Sequence, residues 1–167
     1  MFPLILDKRL QWGLFALALS ISLASLYFEF IVGLLPCPLC IMQRLAAFLL
    51  TTFLLLKLLV TKDVIHTVMA GLSMFSAFLG TFFAVRQVYL QSLPENEVPA
   101  CGPSLDMLIQ YFPMQDILRA LFYGTGDCAK VDWTFLGGSM AFWSMLAFVF
   151  FSVCLTLEAL ARRKQQA

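Results

Sequence analysis

Five cysteines carry the most informative chemistry in this chain of 167 residues. Two stand in Pro36-Cys37-Pro38-Leu39-Cys40, Cys101 and Cys128 lie in a later proline-bearing stretch, and Cys154 sits inside a long apolar run. A thiolate is both a nucleophile and a metal ligand, so three uses are open. A four-thiolate zinc site would use Cys37, Cys40, Cys101 and Cys128. The second pair is 27 positions apart, unlike the close knuckles of structural zinc. Two inert disulfides would need only an oxidising compartment. A redox relay needs two dithiol pairs that can meet by thiolate attack on a disulfide. One pair at a helix end and one on a loop favours the relay, and no metal is expected. Cys154, isolated among apolar residues, reads as a small buried hydrophobe.

The Cys-x-x-Cys pair opens a helix. Pro38 removes an N–H at a position where it would be unpaired anyway. The positive end of the helix dipole favours a thiolate there. Arg44 is four residues past Cys40, one turn deeper on the same face, and adds a cation to that environment. An arginine at this depth in an apolar segment is costly and marks function.

Apolar elements must position these residues. Hydrophobic residues make up 61% of the chain and charged residues 13%, where a soluble protein shows about 25% charged. A water-soluble enzyme is excluded, and a net charge of +1 offers no field for nucleic acid. Leu10 to Phe28, Val64 to Val85 and Trp133 to Leu157 are charge-free runs of 19, 22 and 25 residues. Each can cross a hydrocarbon core about 30 Å thick. A fourth run, Leu39 to Val60, is interrupted by Arg44 and Lys57 near its ends, where long side chains can snorkel. The pattern predicts one all-α membrane domain over 1–167, a four-helix bundle with helices at 12–34, 39–60, 65–88 and 137–158. Loops fall at 35–38 and 89–136. The first run exceeds the apolar core of a secretory signal and is expected to remain as the first helix.

Lys8, Arg9, Lys57, Lys62, Arg162, Arg163 and Lys164 gather on one side, whereas 91–132 carries a net charge of −4. By the positive-inside rule both termini face the cytoplasm and both cysteine loops face outward. His66 falls at the inner interface, and Glu29 reaches the outer one with no chemistry assigned. Within the long loop, Pro113 can open a short helix to about Phe122, with Ile117, Leu118, Leu121 and Phe122 on one face. That is the pattern of a helix lying on the membrane surface.

Several motifs occur in one order along nearly the whole chain: Pro36-Cys37-Pro38-Leu39-Cys40-Ile41-Met42-Gln43-Arg44, Arg86-Gln87-Val88-Tyr89-Leu90-Gln91, Gly126-Asp127-Cys128, and Trp133-Thr134-Phe135-Leu136-Gly137 with Met140 and Trp143. In these the chain resembles the DsbB family of bacterial disulfide-forming oxidoreductases of the inner membrane. The resemblance implies a thiol-to-quinone relay. A periplasmic thioredoxin-fold thiol oxidase, DsbA-like, would arrive reduced and attack Cys101. Cys128 would pass electrons to Cys37, and Cys40 would be released as a thiolate beside a quinone from the membrane pool, ubiquinone or menaquinone. The family's quinone-contacting arginine maps onto Arg44. Leu39, Ile41, Gln43, Met140 and Trp133 are expected near the ring. Some members carry a histidine where Gln87 stands, and the one histidine here is His66. Gln87 can donate a hydrogen bond but cannot relay a proton as imidazole does.

The orientation has a direct check. Membrane-impermeant thiol reagents added to the outside of intact spheroplasts should label reduced Cys101 and Cys128 and leave Cys154 dark. Labelling of Cys154 with Cys101 protected would invert the topology.

Overall fold

A computed structural model of the chain describes residues 8–94, 96–102, 107, 110–131 and 133–166. Glu95, Pro103, Asp106 and Asp132, which entered the charge and proline patterns above, lie outside the described residues. Four long helices dominate: α1 (Lys8–Phe30), α2 (Pro38–Leu59), α3 (Asp63–Gln91) and α5 (Met140–Gln166), with the short α4 (Met114–Tyr123) between the last two. All four long helices are long and apolar enough to cross a membrane. A four-residue 3₁₀ turn (Gly126–Ala129) and a hairpin, β1 (Thr134–Phe135) with β2 (Gly138–Ser139), separate α4 from α5.

The ends differ from the sequence expectation for local reasons. α1 stops at Phe30 rather than at 34, because the backbone turns back at Gly33 (φ +78°) and Leu34 N–H donates to Phe28 O at 3.1 Å. α3 runs three residues beyond 88, to Gln91. Its 29 residues span about 43 Å at 1.5 Å per residue, so its ends project past an apolar layer of about 30 Å. Residues 137–139 do not open α5. They close the hairpin, whose two central residues Leu136 and Gly137 both have positive φ, 49° and 80°, the twist that a two-residue hairpin loop requires. Trp143 Nε1 donates to Phe135 O at 3.0 Å and pins the hairpin to α5. The short helix follows Pro113, as its placement predicts, and ends at Gly124, where φ is +80°.

α1 packs on α2, α2 on α3, and α3 on α5. The mid-bundle core joins Leu14, Leu50, Leu54, Phe148, Phe151 and Leu155 with Ala18, Ala46, Ala47, Ala77 and Ala84. Small residues let backbones approach where no water-driven force holds helices together. Gly80 is the extreme case, since a Cβ there would lie 2.2 Å from the Phe148 ring.

One sequence expectation is overturned at the end of the bundle opposite the cysteines. Lys57 does not snorkel outward. It is 1% exposed, and its Nζ lies 2.6 Å from Glu158 Oε2. Glu158 also accepts from Gln11 Nε2 at 3.3 Å and pairs with Arg162 at 3.0 Å, while Arg162 Nη1 lies 2.8 Å from His66 Nδ1. His66 is thus held by a partner on α5 and is not merely an interfacial residue. In an apolar surround, pairing is less costly than stretching one charge to the surface alone.

Breaking this pair from one side should be expensive. Glu158→Leu strands Lys57 and should cost about 3–5 kcal/mol, read as a lowered midpoint in a denaturing-detergent titration. Lys57→Met combined with Glu158→Leu should recover most of the loss.

Candidate functional site

The cysteines meet where the start of α2 lies beside the far end of α3. Cys37 is the N-cap of α2, with Cys40 N–H donating to its sulfur at 3.3 Å, and Pro38 occupies the first turn. The two sulfurs are 2.9 Å apart and carry free thiols. Gln87 of α3 reaches across to both: its Nε2 lies 3.2 Å from Cys40 Sγ and 3.5 Å from Cys37 Sγ. The Gln87 amide is oriented in turn, because its Oε1 accepts from Gln43 Nε2 at 2.6 Å and Gln43 Oε1 accepts from the Ser144 hydroxyl. Three helices therefore aim one amide at the Cys-x-x-Cys pair. Gln43 links Ser144 to Gln87 and so supports the orientation of the Gln87 amide.

The long loop delivers Cys128 to the same point. The 3₁₀ turn lays Cys128, fully buried, in a second apolar cluster with Leu39, Phe83 and Leu90, against which Cys37 and Met42 also pack. The seat is tight, since a Cβ on Gly124 would meet Leu39 Cδ1 and Leu90 Cδ1 at 2.8 Å. Leu39 is fully buried in this cluster, beside Cys128.

Cys37 packs against the cluster that holds Cys128, and the acidities of the two thiols diverge. Cys37, with the Cys128 and Cys40 sulfurs as neighbours and largely buried, is pushed well above the ordinary thiol range. The Cys37 thiol, acting as a proton donor, is the main influence that lowers Cys128 to about 7 despite its burial, with the Leu39 backbone adding to it.

Cys101 is exposed on a strap whose Ala100 O accepts from Gly126 N–H at 3.2 Å. A Cβ on Gly126 would lie 2.3 Å from Pro99 O, so glycine is what lets the strap lie against the 3₁₀ turn. Asp127, next to Cys128, accepts from Lys130 at 2.9 Å. Lys130 is the main reason its carboxyl falls below the usual range.

Arg44 is turned elsewhere than its spacing suggests. Its guanidinium forms an ion pair with Glu29 of α1 and donates to Ser25 O at 3.2 Å. Among the described residues it makes no hydrogen bond to Cys40, and its Nε has no partner. Glu29 was missed because a lone carboxylate at a helix end is ordinarily solvated. The available signal was its position opposite an arginine of equal depth on a neighbouring helix. The Trp133 ring lies 5.2 Å from that of Phe28 on α1 and stacks 6.0 Å from Phe135. Ile41 and Met140 are half-buried, next to Cys40 and at the start of α5. Cys154 packs against the mid-bundle core, remote from the other four.

The family model for "Disulfide bond formation protein DsbB" matches residues 7–157. The chain belongs to the DsbB family. It is 42% identical over 129 residues to a disulfide bond formation protein B of Hahella chejuensis, covering 77% of this chain and 78% of that one. With the protein of the same name from Nitrosococcus oceani it shares 40% identity over 142 residues, 84% and 83% of the two chains. With that of Polaromonas naphthalenivorans it shares 42% over 168 residues, 98% of this chain and all of the other. A DsbB-family membrane protein of disulfide formation accounts for free thiols gathered at one end of four apolar helices.

The influence of Cys37 on Cys128 can be measured. In a protein reduced by a phosphine and retaining only Cys37 and Cys128, one thiolate should appear by ultraviolet absorbance with a midpoint of about 7. Cys37→Ala removes the donor, so the midpoint should rise to the ordinary thiol value of about 8.5 or above. The thiolate fraction at neutral pH should fall accordingly. An unmoved midpoint would show that Cys37 is not the donor.

Proposed function

We propose that this chain is a thiol:quinone oxidoreductase of the bacterial inner membrane that reoxidises a periplasmic, DsbA-like thioredoxin-fold oxidase. The observation that carries this reading is the division of the loop pair. Cys101 is exposed to a partner while Cys128, its mate, is buried against Cys37. Both termini then lie in the cytoplasm and the redox cysteines in the periplasm, as the positive-inside rule requires.

The exchange balances in sulfur. A partner thiolate attacks Cys101 of a Cys101–Cys128 disulfide, forming a mixed disulfide and releasing the Cys128 thiolate. The partner's second thiol closes its own disulfide, freeing Cys101. Cys128, already in contact with Cys37, attacks that sulfur of a Cys37–Cys40 disulfide and releases the Cys40 thiolate. Cys101 then displaces Cys37 from Cys128, restoring the loop disulfide and leaving Cys37 and Cys40 reduced. Each step needs a thiolate in line with one sulfur. The lowered pKa of Cys128 keeps a large fraction ionised near neutral pH.

A membrane quinone supplies, when bound, the acceptor for the two electrons left on Cys37 and Cys40. The residues fit such a group: Arg44 has an Nε–H without a partner among the described residues, and Trp133, Ile41 and Met140 offer apolar surface. Glu29 holds the guanidinium in one orientation, and Gln87 keeps a hydrogen-bond donor on the Cys40 sulfur. A fixed cation near developing negative charge stabilises it more than the resting state.

The test separates the two halves. Arg44→Ala should lower quinone reduction about tenfold to a hundredfold, the worth of a charge-assisted hydrogen bond of about 1.5–3 kcal/mol. Arg44→Lys should be intermediate, because it keeps the charge without the planar fork. Single-turnover oxidation of the reduced partner should survive both changes. A quinone step untouched by Arg44→Ala would reduce this residue to an anchor for α1.

A further inference from the structure

The loop face holds a second feature that the relay does not use. A cleft of about 640 Å³ opens between the end of α3, the short helix α4 and the Cys101 strap. Its charged lining is Arg86 of α3 with Arg119 and Asp116 of α4, and Pro99 and Thr125 close one side. Arg86 is anchored, its Nε donating to Tyr123 O at 3.2 Å and its guanidinium 5.5 Å from the Tyr89 ring. Arg119 is not. Among the described residues no carboxylate lies within ion-pair distance of it, Asp116 included. The loop is acidic overall, and its other cation, Lys130, is taken by Asp127. The lining keeps two positive charges against one negative, an excess that suits a singly charged anion.

The surroundings say what kind of anion. Phe75, Phe78, Phe82, Val85 and Tyr89 are all exposed and recur at three- and four-residue spacing along α3. They form one apolar stripe that runs up the bundle and ends beside Arg86. Met114, Leu118 and Phe122 of α4 expose further apolar surface near the cleft. An arginine at an apolar boundary attracts phosphate oxygens, which its planar fork can bind in pairs.

We propose that this cleft binds the phosphodiester headgroup of an anionic phospholipid from the leaflet on the loop side, with an acyl chain along the α3 stripe. The headgroup joins Arg86 to Arg119 and so ties α4 to α3. It also braces the Cys101 strap through Pro99 and Thr125. Binding is independent of the thiol chemistry.

Native mass spectrometry of the full chain in detergent, mixed with phosphatidylglycerol or phosphatidylcholine of identical chains, tests this. Phosphatidylglycerol should be retained about tenfold better, the equivalent of one charge-assisted hydrogen bond. Among the described residues Arg119 has no ion-pair partner to lose, so Arg119→Gln should abolish the preference with the fold intact, and Arg119→Lys should keep part of it. Arg163→Gln, exposed at the opposite end, should change nothing. Excess inorganic phosphate should leave the lipid bound. Equal retention of the two lipids, an unaffected Arg119→Gln, an equal loss in Arg163→Gln, or displacement by free phosphate would each overturn the assignment.

Discussion

The packing of Cys128 against Cys37 is the contact on which the rest of the loop end depends. It joins a residue far along the chain to the N-cap of α2, and it survives only because the surrounding seat is closed. Leu39, Phe83 and Leu90 exclude water from three sides, and Gly124 and Gly126 let the chain come close enough to cover the fourth. Apolar burial alone would raise the pKa of a thiol and make it inert. The neighbouring Cys37 thiol reverses that for Cys128. A buried sulfur can then be nucleophilic while a neighbouring exposed sulfur, Cys101, meets the outside.

Helix α2 is the axis of the arrangement. Its inward polar side chains pair with all three neighbouring long helices: Gln43 with α3 and α5, Arg44 and Thr51 with α1, and Lys57 with α5. In a bundle surrounded by hydrocarbon, apolar contacts discriminate poorly between one helix register and another, because lipid is as apolar as leucine. Polar pairs do discriminate, since a shift of one turn would leave each of them unpaired. The two ion pairs at opposite ends of α2 thus set its height against α1 and α5, and with it the height of the Cys-x-x-Cys pair.

The same constraint explains the division of labour around the sulfurs. Gln87 cannot carry a proton, yet it holds donors on both sulfurs, and its orientation is set by Gln43 and Ser144. Arg44 lies one turn deeper, held on the α1 side by Glu29. Thiol contacts and cation contacts therefore fall on different sides of α2, where they do not compete.

Much of this was legible in the residues themselves. The four spans, the loop pair of cysteines and the Pro38-initiated helix follow from charge-free length, proline chemistry and helix geometry, which are properties of local sequence. The surface helix after Pro113 follows from its one-sided apolar face. The order of motifs also sufficed to suggest the family. What tertiary structure alone decided were the pairings. Spacing puts Arg44 on the face of Cys40, but Glu29 on another helix turns it away; Lys57 is placed to snorkel, but Glu158, 101 residues later, buries it. Leu39, at the start of α2, packs in one cluster with Cys128 from the long loop. In each case the partner comes from a distant segment, and in an apolar medium a direct charge or hydrogen-bond partner outweighs the local preference that sequence spacing expresses.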